Sequence, residues 1–119
     1  MKSFEAVEIL NRNNMQELID MLEEDAIDIF NAFLEDAPVQ VAQLQELNAD
    51  KEQLIIASHS LKSSAGYVGA ERLSMYSAEI ENHLNEDSIE EARKLFPHIS
   101  EVLDESLHQI NIALNELKD

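Results

Sequence analysis

Apolar residues recur at three- or four-residue intervals almost throughout this chain, and that spacing constrains the fold more than any other feature. A period of about 3.6 residues gathers apolar side chains on one face of an α-helix, whereas a half-buried strand needs strict alternation. The chain has only two Gly and two Pro, and aromatic residues make up 5% of it. Few helix breakers and few strand-favouring residues agree with the spacing, so the sequence predicts an all-α protein.

The periodicity divides the chain into five helical segments with short connections. They are predicted at residues 15–22, 25–48, about 51–67, about 70–84 and about 89–117. Asn14 is the expected N-cap of the first segment, and Asp50 with Gln53 predicts a capping box at the third. Pro38 falls inside the second segment, where it should kink the helix or mark a local break. Pro97 falls inside the last segment, where it should kink the helix or start a new one.

Each of the longer segments carries one apolar stripe, which is typical of helices that pack around a common core. The length of 119 residues predicts one domain over residues 1–119. Short connections favour an antiparallel up-and-down four-helix bundle, with the short N-terminal helix as an extra element. The inward positions are predicted to be Ile29, Phe33, Ala37, Val41, Leu44 and Leu47 in the second segment, Leu54, Ala57, Leu61, Ala65 and Val68 in the third, Leu73, Tyr76, Ser77, Ile80 and Leu84 in the fourth, and Ala92, Leu95, Ile99, Val102, Ser106, Ile110, Ala113 and Leu117 in the last.

The net charge of −17 excludes whole classes of partner. Binding to nucleic acid depends on Lys and Arg that neutralise phosphates, and anionic membranes attract the same cations, so neither is an expected partner. No segment reaches the roughly 20 apolar residues that span a bilayer. The N-terminus has no apolar run of the secretory type, and the chain lacks Cys, so we expect a cytoplasmic protein without disulfides or thiolate metal sites.

The third segment carries the most unusual surface. On a helical projection His59 lies nearly opposite the stripe that begins with Leu54, so it faces outward. Lys62 and Ser63 follow one turn later, and Gly66 follows after two turns, although an exposed helical Gly is unfavourable by about 1 kcal/mol relative to Ala. Ile55, Ile56 and Tyr67 complete this face. Small and aliphatic residues here suggest close approach by another protein.

Charge sets the same segment apart. Residues 53–70 contain no acid. With His59 counted as neutral, Lys62 carries the only formal charge among them. A phosphoryl group on the imidazole would bring a charge of about −2, which nearby carboxylates would repel and Lys62 could offset. The residues alone leave open that His59 and Lys62 are ordinary surface residues.

The run HSLKSSA from His59 to Ala65, followed by VGA at 68–70 and by Leu73, resembles the signature of histidine-containing phosphotransfer domains. The resemblance implies a phosphocarrier of two-component signalling without kinase activity of its own. It implies phosphorylation of His59, expected on Nε2, and a charge-neutralising role for Lys62. The implied docking residues are Ile55, Ile56, Ser63, Gly66 and Tyr67.

The implied partners are receiver domains of response regulators or hybrid histidine kinases, with the chain as a monomer. No cofactor is expected on this chain, because the receiver would supply the Mg²⁺. Two features depart from the family pattern: Ser63 occupies a position that is usually Gly, and the region 81–85 offers no second basic residue except His83.

Two alternatives stay open at this point. The same face could serve a non-phosphorylated docking or scaffold protein, or the chain could be the phosphoacceptor domain of a larger chemotaxis-type or hybrid histidine kinase. His83, His98 and His108 are predicted to be structural or surface residues. A di-iron site is not expected, because Glu105–His108 is the only Glu-x-x-His pair.

Overall fold

The computed structural model describes residues 4–46 and 50–117 and confirms the all-α prediction. A short 3₁₀ turn at Phe4–Ala6 precedes five helices. These are α1 at Arg12–Leu22, α2 at Glu24–Leu44, α3 at Lys51–Val68, α4 at Glu71–Asn85 and α5 at Ile89–Leu117. The second helix ends earlier than the predicted residue 48, and the predicted inward position Leu47 lies outside the described residues.

Helix α3 is the central element of the bundle. It packs against α2 on one side and α4 on the other, while α5 packs against α4 and α2 and α1 packs mainly against α2. Gly66 near the end of α3 approaches Ser74 near the start of α4, and Lys51 at the start of α3 pairs with Asp87 just after α4. This pattern of contacts shows that α3 and α4 run antiparallel.

The apolar stripes meet in one core. The largest fully buried apolar side chains are Phe30, Leu44, Leu61, Leu73, Ile80, Leu84, Ile99, Ile110 and Val68. Ile29 and Leu95 are only half-buried, and Leu117 is 42% exposed, so the prediction that Leu117 faces inward is wrong. Leu103 and Leu114 are buried in α5 instead, which gives this helix a wider apolar face than a single row.

Helices α1 and α3 begin at Asn and Asp residues whose side chains cap them. Asp50 accepts from the backbone N–H of Gln53 at 2.8 Å and Gln53 returns a bond to the Asp50 N–H at 3.2 Å, which confirms the predicted capping box. At α1 the N-cap is Asn11, not the predicted Asn14. Asn14 lies inside the helix, where its side chain donates to the carbonyl of Tyr67 at 3.1 Å and ties α1 to the end of α3.

Neither proline interrupts its helix. Helix α2 continues through Pro38 and α5 continues through Pro97, so the alternative of a break at these positions is wrong. A Pro inside a helix forfeits one backbone hydrogen bond, and burial of the flanking apolar face offsets that loss. Ala37 and Val41 are buried on either side of Pro38, and Ile99 is buried just beyond Pro97.

The turn between α3 and α4 holds the end of the central helix in place. Gly69 has φ +91°, the left-handed conformation that ends many helices, and the next N–H, that of Ala70, reaches back to the carbonyl of Ala65 at 2.8 Å. The carbonyl of Gly69 accepts from the backbone N–H of Asn11 at 2.7 Å. The backbone N–H of Arg72 donates to the carbonyl of Glu8, so the N-terminal segment is hydrogen-bonded to both sides of this turn.

Replacing Gly69 with Ala should destabilise the bundle by about 1–2 kcal/mol from the left-handed backbone alone. A Cβ there would also lie 3.0 Å from the carbonyl oxygen of Asn11, which adds to the loss. Urea denaturation measures the difference. Ser60→Ala is the control, because it introduces the same residue at an exposed position of helix α3. Equal stability of the two variants would contradict the role given to the turn.

Candidate functional site

The outward face of α3 carries every site residue that the sequence singled out. The His59 side chain is 60% exposed, and Ile56 and Tyr67 are 66% and 52% exposed. Ser63 and Gly66 are exposed, while Ile55 and Lys62 are half-buried. Helical spacing therefore brings these residues together on one surface, as the projection predicted.

A carboxylate from the neighbouring helix lies directly against this face. Glu81 on α4 is buried, and its Oε2 lies 2.7 Å from Nδ1 of His59. Its other oxygen, Oε1, accepts from Nζ of Lys62 at 2.6 Å. One carboxylate thus holds the side chains of both His59 and Lys62.

The prediction that negative charge is absent around His59 is therefore wrong in three dimensions. Residues 53–70 contain no acid, but this window covers only most of α3 and the turn that follows it. The packing of α4 against α3 brings in Glu81 from 22 positions further along the chain. No sequence pattern predicted Glu81 as a partner of His59; the region 81–85 was expected only to lack a second Lys or Arg.

The electrostatics of the cluster keep Glu81 ionised. Burial would raise the pKa of the Glu81 carboxyl, but hydrogen bonds from Lys62 and His59 outweigh it and bring the pKa below its ordinary value of 4.5. The carboxylate is an acceptor only at neutral pH, so the His59 Nδ1 must carry the hydrogen of the bond that joins them. The remaining nitrogen, Nε2, then has a free lone pair when the ring is neutral.

The direction of the ring follows from the same bond. Nδ1 faces Glu81 on α4. The N–H bond of one ring nitrogen and the lone pair of the other point to different sides of the imidazole ring. Nε2 consequently points away from α4, on a side chain that is mostly exposed. The arrangement can present a nucleophilic nitrogen to a molecule that approaches from solvent.

Lys62 is not a free cation. Its ammonium group is engaged by Glu81 on the α4 side of the face, which is the side that Nδ1 of His59 also occupies. Its charge therefore first balances the buried carboxylate. The sequence-based role of Lys62 as a partner of a phosphoryl group requires its ammonium to turn from Glu81 toward Nε2.

Gly66 has a packing role that the sequence did not reveal. A Cβ at this position would lie 3.3 Å from the Ser74 hydroxyl oxygen, and that hydroxyl donates to the carbonyl of Lys62 at 2.9 Å. The absence of a side chain at Gly66 therefore lets α4 approach the turn of α3 that follows His59. The same absence leaves this part of the surface open to solvent.

An apolar groove of about 480 Å³ lies beside the outward face, between α2 and α3. Its walls include Val39 and Ile56, which are 57% and 66% exposed. Exposed aliphatic side chains that adjoin one another are typical of surfaces that contact another protein.

The other histidines lie away from the Glu81 cluster. His83 is half-buried on α4, while His98 and His108 are exposed on α5, where the His98 ring lies 6.3 Å from that of Tyr76. Over residues 4–46 and 50–117, no group of three or more His, Asp or Glu side chains is placed to hold a metal ion. In the described part of the chain no helix has the length and apolar character to cross a membrane.

The bundle thus offers a histidine nitrogen on an open face rather than inside an enclosed cleft. The family model of the Hpt domain matches residues 28–117, so the chain belongs to the Hpt domain family. Comparisons with curated proteins and with solved structures gave no match. Membership in this family indicates a phosphotransfer role in two-component signalling.

Replacing Glu81 with Gln should destabilise the protein at pH 7 by about 1–3 kcal/mol, because the charge-assisted bonds from Lys62 and His59 to this buried carboxylate are weakened. Because folding lowers the pKa of Glu81 below its ordinary value of 4.5, the ionised carboxylate adds to the free energy of unfolding. This contribution is fully present when the pH is above that ordinary value, and it disappears as the pH falls through the lower pKa of the folded state. Urea denaturation at several pH values should show the difference from wild type shrinking toward zero in acid. Glu101→Gln, at an exposed position of α5, is the charge-matched control, and a Glu81→Gln difference independent of pH would contradict the assignment.

Proposed function

We propose that this chain carries a phosphoryl group on Nε2 of His59 and exchanges it with the phosphorylated aspartate of a receiver domain. The observation that supports this most directly is the hydrogen bond between Nδ1 of His59 and Glu81, which leaves Nε2 as the outward nucleophile. Family membership supports the same class of reaction.

The transfer step is balanced without any additional reactant. The Nε2 lone pair forms a bond to phosphorus, and the bond from phosphorus to the aspartate oxygen breaks with its electron pair on the leaving carboxylate. The proton on Nδ1 stays in place, so the phosphorylated ring carries a positive charge that the Glu81 carboxylate balances. The reverse step returns the phosphoryl group to a carboxylate and restores the neutral ring.

The chain supplies position and charge rather than a complete active site. Receiver pockets carry the carboxylates and the Mg²⁺ of this chemistry, and a docked complex places the two reacting groups within one site. Within one turn of His59 on either side, α3 carries no acid of its own, which limits repulsion against an acidic pocket. Lys62 would then be drawn from Glu81 toward the oxygens of the incoming phosphoryl group.

The docking surface consists of the exposed α3 face and the adjoining groove. Ile55, Ile56, Ser63, Gly66 and Tyr67 surround His59, and Val39 extends this surface onto α2. Apolar contacts there would supply binding energy, and the small residues would let the receiver backbone reach the imidazole.

Incubation with a ³²P-labelled phosphorylated receiver domain should transfer the label to this chain as an acid-labile, alkali-stable phosphoramidate. His59→Gln should abolish the label, whereas His108→Gln, at an exposed histidine on α5, should retain it. An unlabelled wild-type chain across a panel of receivers would contradict the proposal and favour the scaffold alternative. Label that persisted in His59→Gln would show that another residue is the acceptor.

Replacing Ile56 with Glu should slow transfer by about 10-fold or more, because a charge would be desolvated in the apolar part of the docking surface. The bundle should keep its stability, since Ile56 is 66% exposed. Met21→Glu is the matched control, because Met21 is 70% exposed on α1. Stopped-flow transfer rates from one receiver measure both variants. Unchanged transfer in Ile56→Glu would show that the docking surface lies elsewhere.

A further inference from the structure

We propose that the hydroxyl of Ser63 donates a hydrogen bond to the phosphoryl group on Nε2 of His59 and stabilises the phosphorylated state. This inference rests on the proposed function and adds a residue to it. It assigns to Ser63 a role that the Gly usual at this position cannot have.

The two flanks of the α3 face differ in what they offer a phosphoryl group. The flank toward α4 holds Glu81, and both the Lys62 ammonium and Nδ1 of His59 are bonded to it at 2.6 and 2.7 Å. Nε2 points to the other flank, away from that carboxylate. A phosphoryl group on Nε2 is therefore directed away from the position where Lys62 is held.

Ser63 lies on the flank to which Nε2 points. It follows His59 by four residues, so the two side chains are neighbours on one helical face. Lys62, one residue earlier, lies on the α4 side of His59. At 100° per residue, Ser63 therefore lies on the other side of His59 around the helix axis. The Cα–Cβ bonds of a helix tilt toward its N-terminus, so the Ser63 side chain leans toward the turn that carries His59.

The hydroxyl of Ser63 is available, unlike those of several nearby serines. Ser58, Ser64 and Ser74 donate to the backbone carbonyls of Ile55, Leu61 and Lys62, at 3.1, 3.3 and 2.9 Å. Ser63 is exposed, and no hydrogen bond joins its hydroxyl to another residue in the described part of the chain. A hydroxyl that is not committed to the helix backbone can turn toward a new acceptor.

The charge balance of the site gives this donor its importance. A phosphoryl group brings a charge of about −2 and three strong acceptor oxygens. The Lys62 charge is shared with Glu81, and residues 81–85 of α4 supply neither Lys nor Arg. A neutral O–H donor adds one bond to the phosphoryl oxygens without the desolvation that a second cation would require.

The equilibrium constant of transfer between the receiver and this chain tests the inference. Docking contacts change the rates of forward and reverse phosphoryl transfer by the same factor, so they leave the equilibrium constant unchanged. A bond made only in the phosphorylated chain changes the equilibrium constant between the phosphorylated receiver and the phosphorylated chain. Ser63→Ala and Ser63→Gly should each shift the equilibrium toward the phosphorylated receiver by about 10-fold, the effect of a hydrogen bond to a charged group worth about 1.4 kcal/mol. Ser60→Ala, at an exposed serine beside His59, is the control and should leave the equilibrium constant unchanged.

The outcomes separate this inference from the function on which it rests. A wild-type chain that takes no label from any receiver would contradict the proposed function itself. A wild-type chain that is labelled on His59, with an equilibrium constant unchanged by Ser63→Ala and Ser63→Gly, would overturn only the role of Ser63. Altered rates at an unchanged equilibrium constant would also overturn it, because they would assign to Ser63 a purely steric effect on docking.

Discussion

The site depends on one buried carboxylate that is shared between two side chains. Glu81 accepts from His59 through one oxygen and from Lys62 through the other, which leaves neither oxygen unpartnered. The paired contacts compensate for burial of its charge and keep it ionised. Because an ionised carboxylate can only accept, this one contact determines which nitrogen of His59 faces solvent with a lone pair.

The fold holds that contact in register through the packing of α3 against α4. Gly66 lets the helices approach, and Ser74 bonds across them to the carbonyl of Lys62. The turn at Gly69 sets where α4 begins, and the N-terminal segment fastens onto that turn through Asn11. A shift of α4 along α3 by one helical turn, about 5.4 Å, would remove Glu81 from reach of His59.

Local patterns predicted much of this structure. The helical period gave the bundle and the outward direction of His59, and the Asp50–Gln53 spacing gave the start of α3. Asn14 was the predicted cap of α1, but its side chain makes a tertiary contact with Tyr67, and Asn11 is the cap. Glu81 was missed because no local pattern links it to His59. Its place beside Ile80 and four residues after Ser77, at the edge of the buried stripe, was the available signal that this acid faces inward.

We propose that Glu81 directs the phosphoryl group to Nε2 of His59, and the decisive measurement is NMR of the phosphorylated, ¹⁵N-labelled protein. Scalar coupling between ³¹P and the ring nitrogens identifies the phosphorylated atom, and the proton attached to the other nitrogen identifies its bonding state. We expect phosphorus on Nε2 and a hydrogen-bonded proton on Nδ1. Phosphorus on Nδ1 would contradict it, because that atom could not then donate to Glu81.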